Sequence, residues 1–261
     1  MKLFSWLRHE TETLDSLTIA YDRHRGRVRL TVHGSHTLVI GLTGSGKGSA
    51  IASIVAALCR CSEPFELYFI DLKMGSEAAF YSSVTTESAY TPEAVETLLS
   101  SLLEKVRNRA VRMRGTTRDL QPCAEFPQLV LVIDEAAELG IGYDTEGKKR
   151  SAHILQLLDE LLRLGRAWGF SCIACTQDPR IESFKLRARF PQRICLRVND
   201  ETEARMCLTD RAVDLGASPQ TIPPDAQGTA WLFDAECGVP QLFRFHYYTD
   251  ADILGFRCRG A

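Results

Sequence analysis

Long hydrophobic runs are missing from this sequence, and no apolar stretch approaches the roughly 20 residues that a membrane-spanning helix needs. An excess of positive charge is missing too, since 31 Lys and Arg stand against 33 Asp and Glu. This balance argues against a protein that binds nucleic acid non-specifically with its whole surface. The first residues, Met1–Arg8, become polar too early for a secretory signal peptide. We therefore expect a soluble protein of the cytoplasm.

The nine cysteines show no convincing zinc-binding pattern. Cys172 and Cys175 have metal-like spacing, but they lie in an apolar run typical of a strand, where side chains alternate between faces. We interpret both as reduced thiols of the core, in keeping with a cytosolic protein. The sequence has no internal repeat, and its 261 residues suffice for one large α/β domain.

A glycine-rich segment that follows a short apolar run is the most informative feature. This pattern is typical of a strand that leads into a phosphate-binding loop and then a helix. Glycines let successive backbone N–H groups surround phosphate oxygens, and the helix N-terminus adds partial positive charge. Lys47 would place a full charge at the β- and γ-phosphates. The predicted nucleotide-binding residues are Gly41, Thr43, Gly44, Ser45, Gly46, Lys47, Gly48 and Ser49.

Position 48 departs from the usual pattern. A Ser or Thr normally follows the lysine and ligates Mg²⁺ with its hydroxyl, but this chain has Gly48. Two alternatives remain open at the level of sequence. Either Ser49 reaches the metal after a local adjustment, or water and a distant carboxylate hold it.

Two acids follow a second apolar run, Leu129–Ile133. Such a run predicts a central strand of a parallel sheet that is buried on both faces. Acids at its carboxyl end lie where open α/β sheets bind their ligands. Asp134 would hold Mg²⁺, directly or through water, and Glu135 would polarise the attacking water.

Strands and helices alternate along the chain, which predicts an α/β fold with a mostly parallel central sheet and helices on both faces. Two further strands near the end predict a C-terminal antiparallel extension. We divide the chain into an N-terminal extension with a hairpin (1–32), an ATPase domain (33–250) and a tail (251–261). The predicted strands are 17–32 as a hairpin, 37–40, 65–71, 129–133, 170–176, 192–197, 228–233 and 242–247, and the predicted helices are 47–60, 92–113, 150–167 and 200–208.

Several segments, in order, resemble the motor core of the FtsK/SpoIIIE DNA translocases, within the HerA–FtsK class of RecA-like P-loop ATPases. The resemblance covers about residues 30–250, and the Gly-Lys-Gly-Ser variant looks most like actinobacterial members that serve conjugative elements or phages. Gly48 and Leu72, which stands for a proline, are departures. The matching segments are His36–Lys47, Phe69–Lys73, Val132–Leu139, Gly165–Gly169, Ala174–Gln177 and Phe190–Ile194.

The resemblance implies ATP and Mg²⁺ as cofactors and assigns catalytic roles to Lys47, Asp134, Glu135, Gln177 and Arg166. The Gln177 amide would contact the γ-phosphate or the attacking water. Arg166 would act across a subunit boundary on the transferring phosphoryl group, with Arg163 as the alternative or with neither in that role.

A basic segment after Gln177 is the predicted DNA contact, formed by Arg180, Lys185, Arg187 and Arg189. A ring of subunits would multiply these few charges into a basic channel that contacts phosphates without reading sequence. A second basic run, within residues 105–118, is interpreted as a solvated or intersubunit face, with a DNA contact as the alternative. Asp71 and Lys73 either couple nucleotide state to DNA or form a structural ion pair.

The resemblance thus implies an ATP-driven homo-oligomer, most simply a hexamer, that moves double-stranded DNA. Because the sequence has no membrane segment, work at a membrane or capsid would need a membrane or portal partner protein. Two alternatives stay open: a viral or phage genome-packaging ATPase of the same class, and an ATP-dependent switch that acts on a protein partner without moving DNA.

Overall fold

The alternating segments form ten strands and six α-helices within the part of the chain that the computed structural model describes, residues 12–178, 180 and 184–258. Residues 1–11 of the predicted extension and 259–261 of the predicted tail lie outside it. The strands are β1 Leu17–Tyr21, β2 Arg27–Leu30, β3 Thr37–Ile40, β4 Phe65–Ile70, β5 Glu87–Ala89, β6 Gln128–Ile133, β7 Phe170–Thr176, β8 Gln192–Cys195, β9 Thr229–Asp234 and β10 Gln241–Arg244. The helices are α1 Lys47–Leu58, α2 Pro92–Arg112, α3 Thr145–Gly165, α4 Glu201–Leu208, α5 Asp210–Asp214 and α6 Asp250–Leu254.

All ten strands belong to one sheet, in the order β2-β1-β10-β9-β8-β3-β7-β6-β4-β5. The strands from β8 to β5 in this order are parallel to one another. The remaining four pair antiparallel. The predicted α/β fold with a mostly parallel sheet and an antiparallel extension is therefore confirmed.

The predicted N-terminal hairpin forms and becomes part of that antiparallel edge. The Asp22 carboxylate accepts hydrogen bonds at 2.8 Å from the backbone N–H groups of His24 and Gly26, which fixes the turn. Tyr21 of β1 pairs with Arg244 of β10. The start and the end of the described chain thus complete one edge of the same sheet.

Helices cover both faces of the sheet, as the continuous apolar strands predict. Leu129 and Leu131 of β6 pack into the cluster that contains α2 and α3. Val130 and Val132 pack into the opposite cluster, around α1. Cys172 and Cys175 are fully buried on opposite faces of β7, which confirms the prediction that they are core thiols.

Helix α3 begins at Thr145 rather than at the predicted residue 150. Asp144 caps it by accepting a hydrogen bond of 2.6 Å from the Gly147 N–H. The first turns are polar throughout, so they lack the apolar period from which a helix is predicted. The three-residue edge strand β5 was not predicted, because a run that short carries no periodic signal.

Most basic residues of the run on α2 form hydrogen bonds or ion pairs with other residues of the same chain. Arg109 is buried and donates hydrogen bonds to the carbonyls of Pro127 (2.7 Å) and Gly169 (3.1 Å). These contacts tie α2 to the start of β6 and β7. Ion pairs join Lys105 to Glu66, Arg107 to Glu160 and Arg112 to Glu125.

His36, just before β3, makes the stability of the fold depend on pH. Its ring accepts from the Cys172 N–H (3.1 Å) and donates to the Leu162 carbonyl (2.9 Å), which fixes the neutral form. Burial lowers the pKa of His36 from 6.5 to about 4, although the Leu162 bond opposes this. Between pH 6.5 and about 4, the unfolded chain therefore binds a proton at His36 that the folded chain does not bind.

We expect His36 to remove up to about 3 kcal/mol from the free energy of unfolding as the pH falls from 6.5 to 4. Urea unfolding at several pH values measures this loss. His36→Asn should be less stable at neutral pH but show a flatter profile, whereas His153→Asn, at a half-exposed position, should keep the wild-type slope. Equal slopes in all three proteins would contradict the role of His36.

Candidate nucleotide-binding site

The loop between β3 and α1 has a backbone that needs its glycines. Gly44 and Gly46 have φ values of 73° and 106°, which disfavour other residues. A Cβ at Gly46 would also lie only 2.5 Å from the Gly228 nitrogen. Gly46 caps α1 without any side-chain hydrogen bond, so the N–H groups of the first turn are available to an anion.

Lys47 folds back across this loop. Its Nζ donates to the carbonyls of Gly41 (2.7 Å) and Leu42 (3.3 Å). Burial lowers the pKa of Lys47, while the neighbouring Cys175 and Glu135 oppose the shift. The ammonium is thus largely removed from water and held by neutral carbonyls. A phosphate oxygen would be a stronger, charge-assisted partner for it.

The predicted catalytic residues lie together at the carboxyl ends of the parallel strands. The loop follows β3, the acidic pair follows β6 and Gln177 follows β7. Thr43 donates a hydrogen bond from its hydroxyl to the Gln177 side-chain carbonyl. The Gln177 backbone N–H in turn donates to Glu135 Oε1 at 3.2 Å. Lys47, Glu135 and Gln177 therefore lie together, as the motifs predict.

One carboxylate oxygen of Glu135 is buried without a hydrogen bond among the described residues. The residue is 8% exposed, and its Oε2 accepts no hydrogen bond from the described part of the chain. The nearest cation is Lys73, whose Nζ lies 3.7 Å away. A buried carboxylate oxygen without a hydrogen bond is costly unless another group or water supplies one. This orphaned oxygen is available to a water molecule at the nucleotide.

Lys73 is the basic partner of the acidic pair. Its Nζ also lies 3.3 Å from Asp134 Oδ2. Burial lowers the pKa of Lys73, but Asp134 and Glu135 raise it more, so the net shift is upward. Burial raises the pKa of Asp134, and Lys73 partly offsets this. Lys73 thus pairs with the acids of the neighbouring strand, and no ion pair of the described residues joins it to Asp71.

Asp71 instead holds the loop after β4. Its carboxylate accepts hydrogen bonds from the backbone N–H groups of Lys73 (2.9 Å), Glu77 (2.8 Å) and Ala78 (3.1 Å). The residue is almost completely buried. The sequence left two roles open for Asp71, and its contacts support the structural one. Its partners are backbone N–H groups and not the predicted lysine ammonium.

Glu77 reaches the nucleotide site, and the motifs did not identify it. A Cβ added at Gly48 would lie 3.5 Å from Glu77 Oε1. Burial, together with the charge of Asp134, raises the pKa of Glu77. Glu77 lies in an irregular segment between β4 and β5, where no periodic pattern marks a functional residue.

The residues present fit ATP and Mg²⁺. Ser45 Oγ is buried without a hydrogen bond among the described residues, and Glu135 Oε2 is too. Within those same residues, no three His, Cys, Asp or Glu side chains form a metal-binding group. Mg²⁺ in nucleotide sites is held by one or two carboxylates together with phosphates and waters, so the donors here suffice. Asp134 and Ser49 remain the predicted metal-holding residues.

The predicted trans-acting arginines precede β7 and so lie at the amino ends of the parallel strands, opposite the nucleotide loop. Arg166 donates from Nε to the Gly34 carbonyl at 2.8 Å, and its guanidinium lies 3.8 Å from Glu236. Arg163 is exposed on α3. Both therefore lie at the opposite end of the strands from the nucleotide loop, and a catalytic role for either would call for a second subunit.

The predicted DNA-contacting side chains differ in their local contacts. Arg180 and Lys185 are exposed, and Arg180 Nε lies 4.0 Å from Asp178 Oδ1. Arg189 is engaged, since Nε and Nη2 donate to the two carboxylate oxygens of Asp159 at 2.7 and 3.1 Å. Arg187 is half-buried. The segment therefore presents fewer available charges than its sequence suggests.

Within residues 12–178, 180 and 184–258, no helix has both the length and the apolar character of a membrane span.

Over residues 15–217 the sequence matches the FtsK/SpoIIIE family. A sporulation regulatory protein of Streptomyces azureus is 30% identical over 213 residues, which cover 78% of this chain and 70% of that protein. Transfer protein TraSA of Streptomyces ambofaciens is 30% identical over 226 residues, covering 79% of this chain and 54% of TraSA. DNA translocase FtsK of Tropheryma whipplei is 25% identical, covering 84% of this chain but 31% of FtsK. The chain thus spans only part of the last two relatives.

Solved structures show the same fold. The pCW3 conjugation coupling protein TcpA superposes with a TM-score of 0.77 at 23% identity, covering 95% of this chain and 71% of TcpA. The cytoplasmic domain of the Type VII secretion ATPase EccC from Thermomonospora curvata superposes with a TM-score of 0.72 at 20% identity, covering 97% of this chain and 32% of EccC. The resemblance inferred from the motifs is confirmed. Because the family match includes every strand of the parallel sheet, the chain belongs to the FtsK/SpoIIIE family and is an ATPase of that family.

Proposed function

We propose that this protein hydrolyses ATP with Mg²⁺ and assembles as a ring, most simply a hexamer, that moves double-stranded DNA. The observation that carries the proposal is the meeting of Lys47, Glu135 and Gln177 at one edge of the sheet, within a chain of the FtsK/SpoIIIE family. TraSA is named as a transfer protein and FtsK as a DNA translocase, which supports DNA as the substrate. A cytoplasmic location follows from this proposal, since ATP and DNA are both available there.

Each residue has a role that its contacts support. Lys47 exchanges its carbonyl partners for phosphate oxygens. Glu135 orients the attacking water with the oxygen that lacks a hydrogen bond. Gln177 links the phosphate-binding loop to Glu135 and so registers the presence of the γ-phosphate. Asp134 holds Mg²⁺, which when bound neutralises charge on the phosphates.

A neighbouring subunit supplies the remaining positive charge. Arg166 or Arg163 stabilises the transferring phosphoryl group in trans, which agrees with their location at the amino ends of the strands. A ring brings this side of one subunit to the nucleotide of the next. It also gathers the basic segments, including the exposed Arg180 and Lys185, around a central channel.

Duplex DNA is expected to stimulate ATP hydrolysis by the wild-type protein, which should also displace a triplex-forming strand. Arg180→Ala combined with Lys185→Ala should raise the DNA concentration needed for half-maximal stimulation and lower the salt slope of DNA binding by about 2. The rate without DNA should not change. ATP hydrolysis titrated with duplex at several salt concentrations measures both effects.

Lys148→Ala with Lys149→Ala is the matched control, because it removes two exposed charges from α3 outside the basic segment. It should leave DNA stimulation intact. If the wild-type protein hydrolyses ATP but shows neither DNA stimulation nor triplex displacement, the DNA-translocating function is wrong. An ATP-dependent switch acting on a protein partner then takes its place, which the net charge of −2 would suit.

A further inference from the structure

Gly48 faces a carboxylate. A Cβ placed on Gly48 would lie 3.5 Å from Oε1 and 3.8 Å from Oε2 of Glu77, which are its nearest described neighbours outside α1. These are ordinary van der Waals distances, so a side chain at position 48 would touch Glu77. The oxygens of Glu77 thus occupy the neighbourhood in which the usual Ser or Thr hydroxyl would lie.

The carboxylate of Glu77 is held in place by buried groups. Asp71 accepts the Glu77 N–H at 2.8 Å. The fully buried Tyr81 donates its hydroxyl to Glu77 Oε1 at 3.3 Å. The Tyr81 ring stacks on Phe69 of β4, with ring centroids 5.4 Å apart. Since Tyr81 uses only Oε1, the second oxygen is left for another ligand.

The charge of Glu77 is not neutralised nearby. Its carboxylate interacts electrostatically with Asp134 and Asp71, which carry the same sign. No ion pair involves Glu77 within the part of the chain that the structure describes. Lys73 is engaged with Asp134 and Glu135 instead. Acids of like charge that interact beside a phosphate-binding loop are an arrangement that a divalent cation stabilises.

Ser49, the hydroxyl nearest to Gly48 in sequence, faces another part of the molecule. Its Cβ lies 4.0 Å from the position of a Cβ added at Gly228. Gly228 belongs to the turn before β9, and its N–H donates to the Ser45 carbonyl at 2.8 Å. Ser49 therefore borders the antiparallel part of the sheet, whereas Gly48 borders Glu77.

We propose that Glu77 replaces the missing hydroxyl of position 48 and, together with Asp134, holds the Mg²⁺ of bound ATP, directly or through one water. The inference rests on the proposed ATPase function. A Cβ at position 48 would already contact the Glu77 carboxylate at 3.5 Å, so a larger side chain there would compete with it for the same space. Glycine at 48 and glutamate at 77 thus act as a pair in place of a single Ser or Thr.

The test measures metal affinity separately from hydrolysis. Mn²⁺ serves as the probe, and its binding to the protein with saturating ATPγS is followed by electron paramagnetic resonance. Affinity for ATPγS without metal is measured in parallel. Glu77→Gln should weaken Mn²⁺ binding about 10–100-fold and leave metal-free ATPγS binding near the wild-type value. Adding Gly48→Ser to Glu77→Gln should restore most of the lost Mn²⁺ affinity.

Two controls make the outcome decisive. Glu104→Gln removes an exposed acid from α2 and should have no effect on Mn²⁺ binding. Ser49→Ala should also have little effect. If Ser49→Ala weakens Mn²⁺ binding while Glu77→Gln does not, the inference is overturned in favour of Ser49. If the wild-type protein binds no ATPγS, the proposed function itself is wrong. Should Glu77→Gln fail to fold, Glu77→Asp, which keeps the charge but shortens the side chain, replaces it with the same expected weakening and rescue.

Discussion

Glu135→Gln is expected to lower the rate of ATP hydrolysis by about 10²–10⁴-fold, the usual contribution of a general base. The substitution removes the charge but keeps the shape. A glutamine can still accept the hydrogen bond that the Gln177 N–H donates to Oε1. The other oxygen, Oε2, is the one without a hydrogen-bonded partner in the described chain, and it loses the negative charge that orients water.

ATP binding should survive this substitution, because Glu135 does not form the phosphate-binding loop. Single-turnover hydrolysis measures the chemical step, and binding of a fluorescent ATP analogue measures the ground state. Glu138→Gln, which changes the next acid of the same segment, is the matched control and should hydrolyse ATP near the wild-type rate. Unchanged hydrolysis in Glu135→Gln would remove Glu135 from its assigned role.

The position of this site was predictable because parallel strands share one carboxyl edge. The apolar runs of β6 and β7 are long and continuous, so their burial could be inferred without any structure. Once both are parallel to β3, the residues that follow them must converge with the loop. The meeting of Thr43, Gln177 and Glu135 is the direct result.

Contacts between distant segments were less predictable. The pairing of β1 with β10 joins two strands that lie about 220 residues apart, near the two ends of the described chain. Neither strand carries a signal that specifies its partner. The buried position of Arg109 was likewise hidden, since its partners are backbone carbonyls that any sequence provides. A run of basic residues therefore looked like a charged surface while one of its members anchors α2.

The other residues of the site lie in irregular segments, where no periodic sequence pattern identifies them. Lys73 and Glu77 both follow β4, but the loop that positions them is set by backbone hydrogen bonds to Asp71. A sequence pattern can suggest that an acid and a lysine form a pair. It does not show that the lysine turns to the acids of the neighbouring strand, nor that a glutamate faces an empty Cβ position.

Lys47→Ala is expected to weaken ATP binding by at least about 10-fold, because a hydrogen bond to a charged group is worth about 1.5–3 kcal/mol. Among the described residues, the ammonium of Lys47 is hydrogen-bonded to the carbonyls of Gly41 and Leu42. Burial lowers the pKa of Lys47, which indicates that the fold holds this charge at a cost. ATP phosphates offer the negative charge that would offset that cost.

The same reasoning predicts that Lys47→Ala does not destabilise the protein without nucleotide. Removing a desolvated charge whose hydrogen-bond partners are neutral carbonyls should leave the free energy of unfolding unchanged or raise it. Titration with a fluorescent ATP analogue and urea unfolding test the two halves separately, with Lys148→Ala as a control for loss of one exposed lysine. A large loss of stability together with normal ATP binding would show that Lys47 serves the loop and not the phosphates.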